Sequence, residues 1–227
     1  MRKLVLWGHR AEDYLEMFDL SQAEIESGIL EYGCGPSAVN SQLTKMKKQI
    51  VSCDPLFVLD KDTLSSKAKM IFANMADEIK QHQDQFDFSS SGGFEKLLDK
   101  RQRGMQDFFA DFSNGKKEGR YLGINDYHLP FADFTFEFAL SPHYFFADLD
   151  EQTVDFHLIV IRELARIAKE VRLFPLVDRE GKMSDFLGPV LLGLQQENYG
   201  VEVREVSFHL HKSGNAMLRV WAQECVV

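Results

Sequence analysis

Cysteine is scarce in this chain: Cys34, Cys53 and Cys225 are an odd three with no CxxC spacing. That excludes a disulfide framework and a cysteine zinc site, and it favours a reducing compartment. No apolar run approaches the roughly 20 residues that span a bilayer. The opening MRKLVLWGHRAED has a basic start, but its apolar stretch is too short for a signal peptide. A cytoplasmic location is therefore expected. Positive charge is in deficit, with 26 Lys and Arg against 35 Asp and Glu and a net charge of -9. A broad electrostatic grip on nucleic acid or on an anionic membrane is not expected from that balance.

What is present is an ordinary globular composition: 227 residues, 44% hydrophobic and 27% charged. That is enough for one substantial core, so a single domain over 1–227 is expected. AEDYLEMFDLSQAEIE reads as helix, with Tyr14, Phe18 and Leu20 on an apolar face. GILEYG is a strand, PSAVNSQLTKMKK a helix carrying Val39, Leu43 and Met46, and QIVSCD a second strand ending at Asp54. Strand, glycine turn, helix and strand make one βαβ unit. Two long helical stretches follow, separated by the hinge signal Ser89–Gly93, and they read as a helical insertion over 58–118, a lid or extra packing. YLGI and FEFALS are strands, VDFHLIVIRELARIAK is the clearest helix, and VRLFPLV suits a buried parallel strand. In SDFLGPVLLGLQQENYG, Pro189 marks a kink or a late start. VEVREVSF and AMLRVWA close the chain as a hairpin. The alternation implies an α/β fold, a mostly parallel sheet with helices on both faces.

ILEYGCGPSAVN holds the most informative residues. Gly33, Gly35 and Ala38 fit G-x-G-x-x-A, and Asp54 lies about twenty residues on, where a carboxylate can take ribose hydroxyls. NAD and S-adenosylmethionine both satisfy this much. Three features lean towards the second. Glu31 ends the first strand, where a carboxylate would repel a pyrophosphate but suits a sulfonium and an ammonium. Asn125-Asp126-Tyr127 follows the third strand, where Asp126 can accept from an adenine amino group. The terminal hairpin is foreign to a standard dinucleotide domain.

LEYGCGPS, SCDPLF, NDYHLPFADFTFEFALSPHYFF and FHLIVIRELARIAKEVRLFPLVD together resemble the successive motifs of class I, Rossmann-like S-adenosylmethionine-dependent methyltransferases. The resemblance is greatest to a bacterial group of undefined substrate and runs from about Leu4 to Val220. It implies a doubly wound seven-stranded sheet of order 3-2-1-4-5-7-6, with strand 7 antiparallel. It implies that Glu31, Tyr32, Gly33, Cys34 and Gly35 border the methionine and ribose of the cofactor. Asp54 would hold the ribose hydroxyls, Pro55 and Leu56 would flank the adenine, and Asp126 would meet its amino group with Asn125 and Tyr127 beside it. Ser141, Pro142 and His143 would end the fourth strand beside the methyl acceptor. Glu31 stands where the family more often has Asp, and the insertion exceeds the minimal fold.

Methyl transfer from a sulfonium is an in-line displacement, so the protein supplies alignment and desolvation. A base is needed only where the acceptor must lose a proton. His143 is the candidate base, and Tyr144 either orients an acceptor or packs in the core. Phe108, Phe109 and Phe112 are candidates for an apolar acceptor pocket. Lys100, Arg101 and Arg103 read as a solvated basic face, and Cys34 as a small buried residue. His209 and His211 alternate as two metal ligands could, with no third nearby, so no metal is expected. The leading reading is a methyltransferase for a small-molecule acceptor, with S-adenosylhomocysteine as product. A methyltransferase-fold binding protein without catalysis, or an NAD-dependent oxidoreductase, is the alternative.

Overall fold

The computed structural model describes residues 8–147, 152–178, 180–208 and 210–222. Leu4, His209 and Cys225 lie outside them. The chain runs α1 (Ala11–Met17), α2 (Gln22–Ile25), β1 (Ile29–Tyr32), α3 (Val39–Lys45) and β2 (Ile50–Asp54). Then come α4 (Lys61–Gln81), α5 (Phe94–Lys117), β3 (Tyr121–Gly123), β4 (Phe136–Pro142), α6 (Val154–Ile167) and β5 (Ala168–Phe174). It closes with α7 (Leu187–Gln196), β6 (Tyr199–Glu205) and β7 (Ala216–Ala222).

The strands form one seven-stranded sheet of order β3-β2-β1-β4-β5-β7-β6. All pairings from β3 to β5 are parallel, and β7 is antiparallel to both β5 and β6. This is the order and orientation that the resemblance implies.

Side chains alternate across the sheet, and each set finds its own helices. Leu30, Tyr32, Cys53, Ala139 and Val171 pack with Leu158, Ile161 and Leu164 of α6 and Val190 and Leu194 of α7. Ile29, Ile50 and Leu140 pack on the other face with Tyr14, Met17 and Phe18 around α1, and with Val39 and Leu43 of α3. Glu31 alternates with Leu30 and Tyr32, so it shares the face of α1 and α3. That placement decides its chemistry.

Two helical expectations change in detail. The stretch from Ala11 to Glu26 is not one helix: Asp19 has φ of 46°, and Ser21 restarts the chain as an N-cap with Glu24 completing a capping box. Pro189 stands near the start of α7, so it marks a late start and not a kink. The connection from β2 to β3 contains the two long helices α4 and α5. A fully buried aromatic group of Phe57, Phe108, Phe112 and Tyr121 packs with Cys34 of the glycine turn. Among the described residues, no helix is long and apolar enough to cross a membrane.

Candidate functional site

The glycine turn leaves β1 with Gly33 at φ 64° and Gly35 at φ 56°, backbone that residues with a Cβ rarely adopt. Five of the amides from Gly33 to Val39 have protein acceptors. Gly33 donates to the Cys53 carbonyl at 2.8 Å, Ser37 to the Gly35 carbonyl at 2.8 Å, and Ala38 to the His9 carbonyl at 2.8 Å. Gly35 donates to an Asp54 carboxylate oxygen at 2.7 Å, and Val39 to the Ser37 hydroxyl at 3.2 Å. A phosphate cradle needs free amides at a helix start, and those of Gly33, Gly35, Ser37, Ala38 and Val39 are committed.

Two carboxylates converge on the turn. Glu31 is register partner to Ser52 of β2, and its fully buried carboxylate accepts from the Ser52 hydroxyl and from the Ser37 hydroxyl at 3.1 Å. The buried Tyr14 hydroxyl faces the same carboxylate, and its donor hydrogen pulls the Glu31 carboxyl down. Burial raises the Glu31 carboxyl above its ordinary range against the pull of its hydroxyl partners, and the nearby Asp54 charge adds to the rise. Asp54 sits 3% exposed at the end of β2 and gives its second oxygen to the Leu56 amide at 2.8 Å. Burial pushes its carboxyl up to about 6, although the Leu56 and Gly35 amides and Lys67 pull the other way. Two buried carboxylates whose charged forms are under-compensated make a site that favours a cation.

The chemistry of this donor set fits S-adenosylmethionine. Its sulfonium and ammonium would offset the Glu31 and Asp54 charges. Each carboxylate has about four lone-pair positions, so Asp54 retains capacity for ribose hydroxyls beyond its two amides. The Tyr14 hydroxyl beside Glu31 adds one more polar group. A pyrophosphate would meet two anions and no free amide among those traced above.

The other predicted residues divide into two groups. Tyr32 is buried, with its ring edge-on to Tyr144 at 5.5 Å. Burial holds the Cys34 thiol well above its ordinary value, which fits an inert packing role. Pro55 opens a short 3-10 turn that brings Val58 against Gly123, and the Leu56 side chain joins the packing under α4 and α5. The Ser141 hydroxyl is fully buried and donates to the Tyr32 carbonyl at 2.7 Å, tying β4 to β1. Asn125, Asp126 and Tyr127 are exposed on the loop after β3, and Asp126 accepts from the Tyr127 amide at 2.6 Å. Tyr144 covers the turn: a Cβ on Gly33 would lie 2.3 Å from its ring.

His143 follows β4 at φ 54°, and its amide donates to the Phe174 carbonyl at 2.5 Å. Its ring stacks on His9, with centroids 5.2 Å apart and planes 4° from parallel. Burial, then the His9 and Arg101 charges, hold it well below the ordinary imidazole range, so it is neutral near pH 7. The Arg101 guanidinium meets His9 Nδ1 at 2.8 Å and donates to Asp13 at 2.6 Å. This corrects the solvated reading of Arg101. It is 1% exposed, because it falls on the inward stripe of α5 with Leu97, Met105 and Phe108. Arg103 is exposed and paired with Asp99, and Lys100 reaches Asp13 at 2.6 Å. Phe108 and Phe112 belong to the core over Cys34, so they do not line a pocket, whereas Phe109 edges a groove between α4 and α5.

Sequence patterns did not single out Ser37 and Ser52 as partners of Glu31, nor the segment Gly8–His9 as a second layer on the turn. Gly8 donates to the Pro36 carbonyl at 3.0 Å. The signal available was the i, i+2 pair Ser52 and Asp54, which puts a hydroxyl and a carboxylate on one face of β2.

No protein-family model matches the chain. It is 24% identical over 219 residues to an uncharacterized protein of Methanocaldococcus jannaschii, covering 96% of each. That relative is archaeal, and a bacterial affiliation is not shown. Among solved structures it is similar to an S-adenosylmethionine-dependent methyltransferase from Aquifex aeolicus, at 18% identity, 92% of both chains and a TM-score of 0.44. It is also similar to a TehB-like methyltransferase from Corynebacterium glutamicum, at 12% identity, 97% and 89% coverage and a TM-score of 0.46. Neither likeness is close enough to carry a residue role.

Proposed function

We propose that the chain is an S-adenosylmethionine-dependent methyltransferase acting on a small-molecule acceptor. The observation that carries the reading is the pair of buried carboxylates, Glu31 and Asp54, around a glycine turn. When bound, the cofactor supplies an activated methyl group. Asp54 holds the ribose hydroxyls while keeping the Gly35 amide, so cofactor and turn share one anchor. Glu31 presents negative charge from a fully buried, low-dielectric position, where its attraction for a cation is least screened. Asp126 and Tyr127 meet the adenine from the exposed loop after β3, and Tyr144 swings from Gly33 to admit the ligand. The α4–α5 pair serves as cover for the site. His143, neutral by burial, takes a proton from the acceptor where the acceptor must lose one.

Thermal-shift titration with S-adenosylmethionine, S-adenosylhomocysteine and NAD tests the cofactor. The two sulfur ligands are expected to raise Tm and NAD to leave it unchanged; the reverse pattern overturns the reading. Methyl-label transfer across acceptor classes then separates an enzyme from a binding protein of the same fold. Label in no acceptor, with cofactor bound, favours the binding protein.

A further inference from the structure

Away from the glycine turn, a groove of about 410 Å³ runs along the seam between α4 and α5. Its walls are one stripe from each helix, with residues spaced three and four apart. Ala68 of α4 and Met105 of α5 are buried together at its floor, and Phe72 and Phe109 pack against them. The Phe109 ring stands edge-on to Phe108 at 5.0 Å. Phe108 belongs to the buried aromatic group over Cys34, so this wall is anchored to the core.

The charge around the groove has one sign. Lys61 and Lys69 are the charged residues that line it, in a chain whose net charge is -9. Both are exposed, and neither makes an ion pair among the described residues. Carboxylates close by in sequence are committed elsewhere. Asp60 caps α4 through the Asp62 and Thr63 amides at 3.0 and 2.9 Å, and Asp107 pairs with Arg10 at 2.8 Å. Lys69 is the less compensated of the two lysines. Its neighbours three and four residues away on α4, Ser65, Ser66, Phe72 and Ala73, are uncharged, whereas Lys61 lies between Asp60 and Asp62.

An apolar floor beside unpaired cations calls for a ligand that is apolar along its length and anionic at one end. The groove has the size of a small-molecule site, for which roughly 300–1,000 Å³ is usual. From Lys69 back to Lys61 is about 12 Å along α4, the reach of a medium-length alkyl chain. A lysine at such an edge can cover apolar surface with its stem while its ammonium stays in water. A sugar would leave Phe72 and Phe109 against polar groups, an alkylammonium would meet like charge, and an anionic bilayer would meet the chain's negative balance. We propose that this groove binds a single-chain carboxylate, with its alkyl chain laid over Ala68 and Met105 and its carboxylate at Lys69. The site shares no lining residue with the glycine turn, and its occupancy does not rest on the methyltransferase reading.

The test uses the full chain without cofactor, labelled with 13C at the methionine methyl groups and titrated with decanoate. A saturable shift of the Met105 methyl is expected, with Met183, exposed and outside the groove, unmoved. Each methylene added from hexanoate to decanoate should tighten binding about three- to fourfold. Decyltrimethylammonium should bind at least fivefold more weakly than decanoate. Lys69→Glu should weaken decanoate at least fivefold, and Ala68→Met, which fills the floor, at least tenfold, with Tm reporting whether each variant is folded. Lys69 is exposed, so its variant keeps the test decisive if the floor variant fails to fold. The site is overturned by an unmoved Met105, by affinity independent of chain length, or by the cationic amphiphile binding as tightly as decanoate. It is also overturned if Met105 shifts with protein concentration alone, or with phosphatidylglycerol vesicles and not with decanoate, since a second copy or a membrane is then the occupant.

Discussion

Asp54 accepts the Gly35 amide at 2.7 Å, so the end of β2 and the glycine turn are one hydrogen-bonded unit. The residue expected to hold a ribose therefore also sets the shape of the loop against which that ribose would lie. Binding and loop geometry are coupled through a single carboxylate.

Ionisation of Asp54 should show in both stability and binding. Its folded pKa of about 6 lies above the unfolded value of about 3.9. Its contribution to stability is thus fully present below about pH 4 and lost as pH rises through about 6. Glu31, raised in the same direction by burial, adds to that slope. Ribose hydroxyls need the ionised acceptor, so affinity for S-adenosylmethionine should climb from pH 5 to pH 7. In Asp54→Asn the climb due to Asp54 disappears and affinity at pH 7.5 falls at least about tenfold, roughly 1.4 kcal/mol. Titrations at three pH values check this.

Gly33→Ala should be felt in the ligand-free fold. The residue combines φ of 64° with the Tyr144 ring 2.3 Å from the new Cβ. A loss of about 2 kcal/mol is expected, or about 4–8 °C in Tm for a chain of this size. Tyr144→Ala in the same background should recover part of that loss, since it removes the clash but leaves the strained backbone. A double-mutant cycle by thermal melting reads the difference.

Asp13→Asn removes the partner of a buried guanidinium. Burial alone would raise the Asp13 carboxyl, but the Arg101, His9 and Lys100 interactions outweigh it and hold the group below its ordinary range. The stability it contributes is present above about pH 4 and lost as pH falls through the lowered value. The variant should cost about 3–5 kcal/mol at pH 7 and show a shallower acid-unfolding limb than the parent. Denaturant midpoints at pH 7 and pH 3 measure both.

His143→Ala should lower kcat with cofactor affinity nearly unchanged, if an acceptor must lose a proton. Because burial and the His9 and Arg101 charges hold the ring neutral, against the weaker opposing pull of Asp13, activity should show no His143 limb between pH 6 and pH 8. A pH–rate profile of parent and variant, compared over that range, checks this.

Much of the architecture was legible because it rests on local pattern. The run from Ile29 to Asp54 shows apolar residues, a glycine turn, a helical stripe and a second strand in order, and the structure keeps that order. What escaped depended on pairing at a distance. Glu31 could be read as acidic at a strand end, but not as bonded to Ser52, since only sheet register brings the two together. Arg101 was misread because a charge on a helix is normally solvated, and its partner Asp13 lies 88 residues away. The division of Ala11–Glu26 was locally written in Ser21 and Glu24, a capping signal set inside an otherwise helical run.

The central claim is that Glu31 and Asp54 select a cationic sulfonium ligand over a pyrophosphate. Isothermal titration of the parent protein and Glu31→Gln with S-adenosylmethionine, S-adenosylhomocysteine and NAD tests it most directly. The account predicts saturable heat with both sulfur ligands, a preference for the sulfonium over the thioether that shrinks in Glu31→Gln, and no heat with NAD. Saturable heat with NAD and none with either sulfur ligand would contradict it.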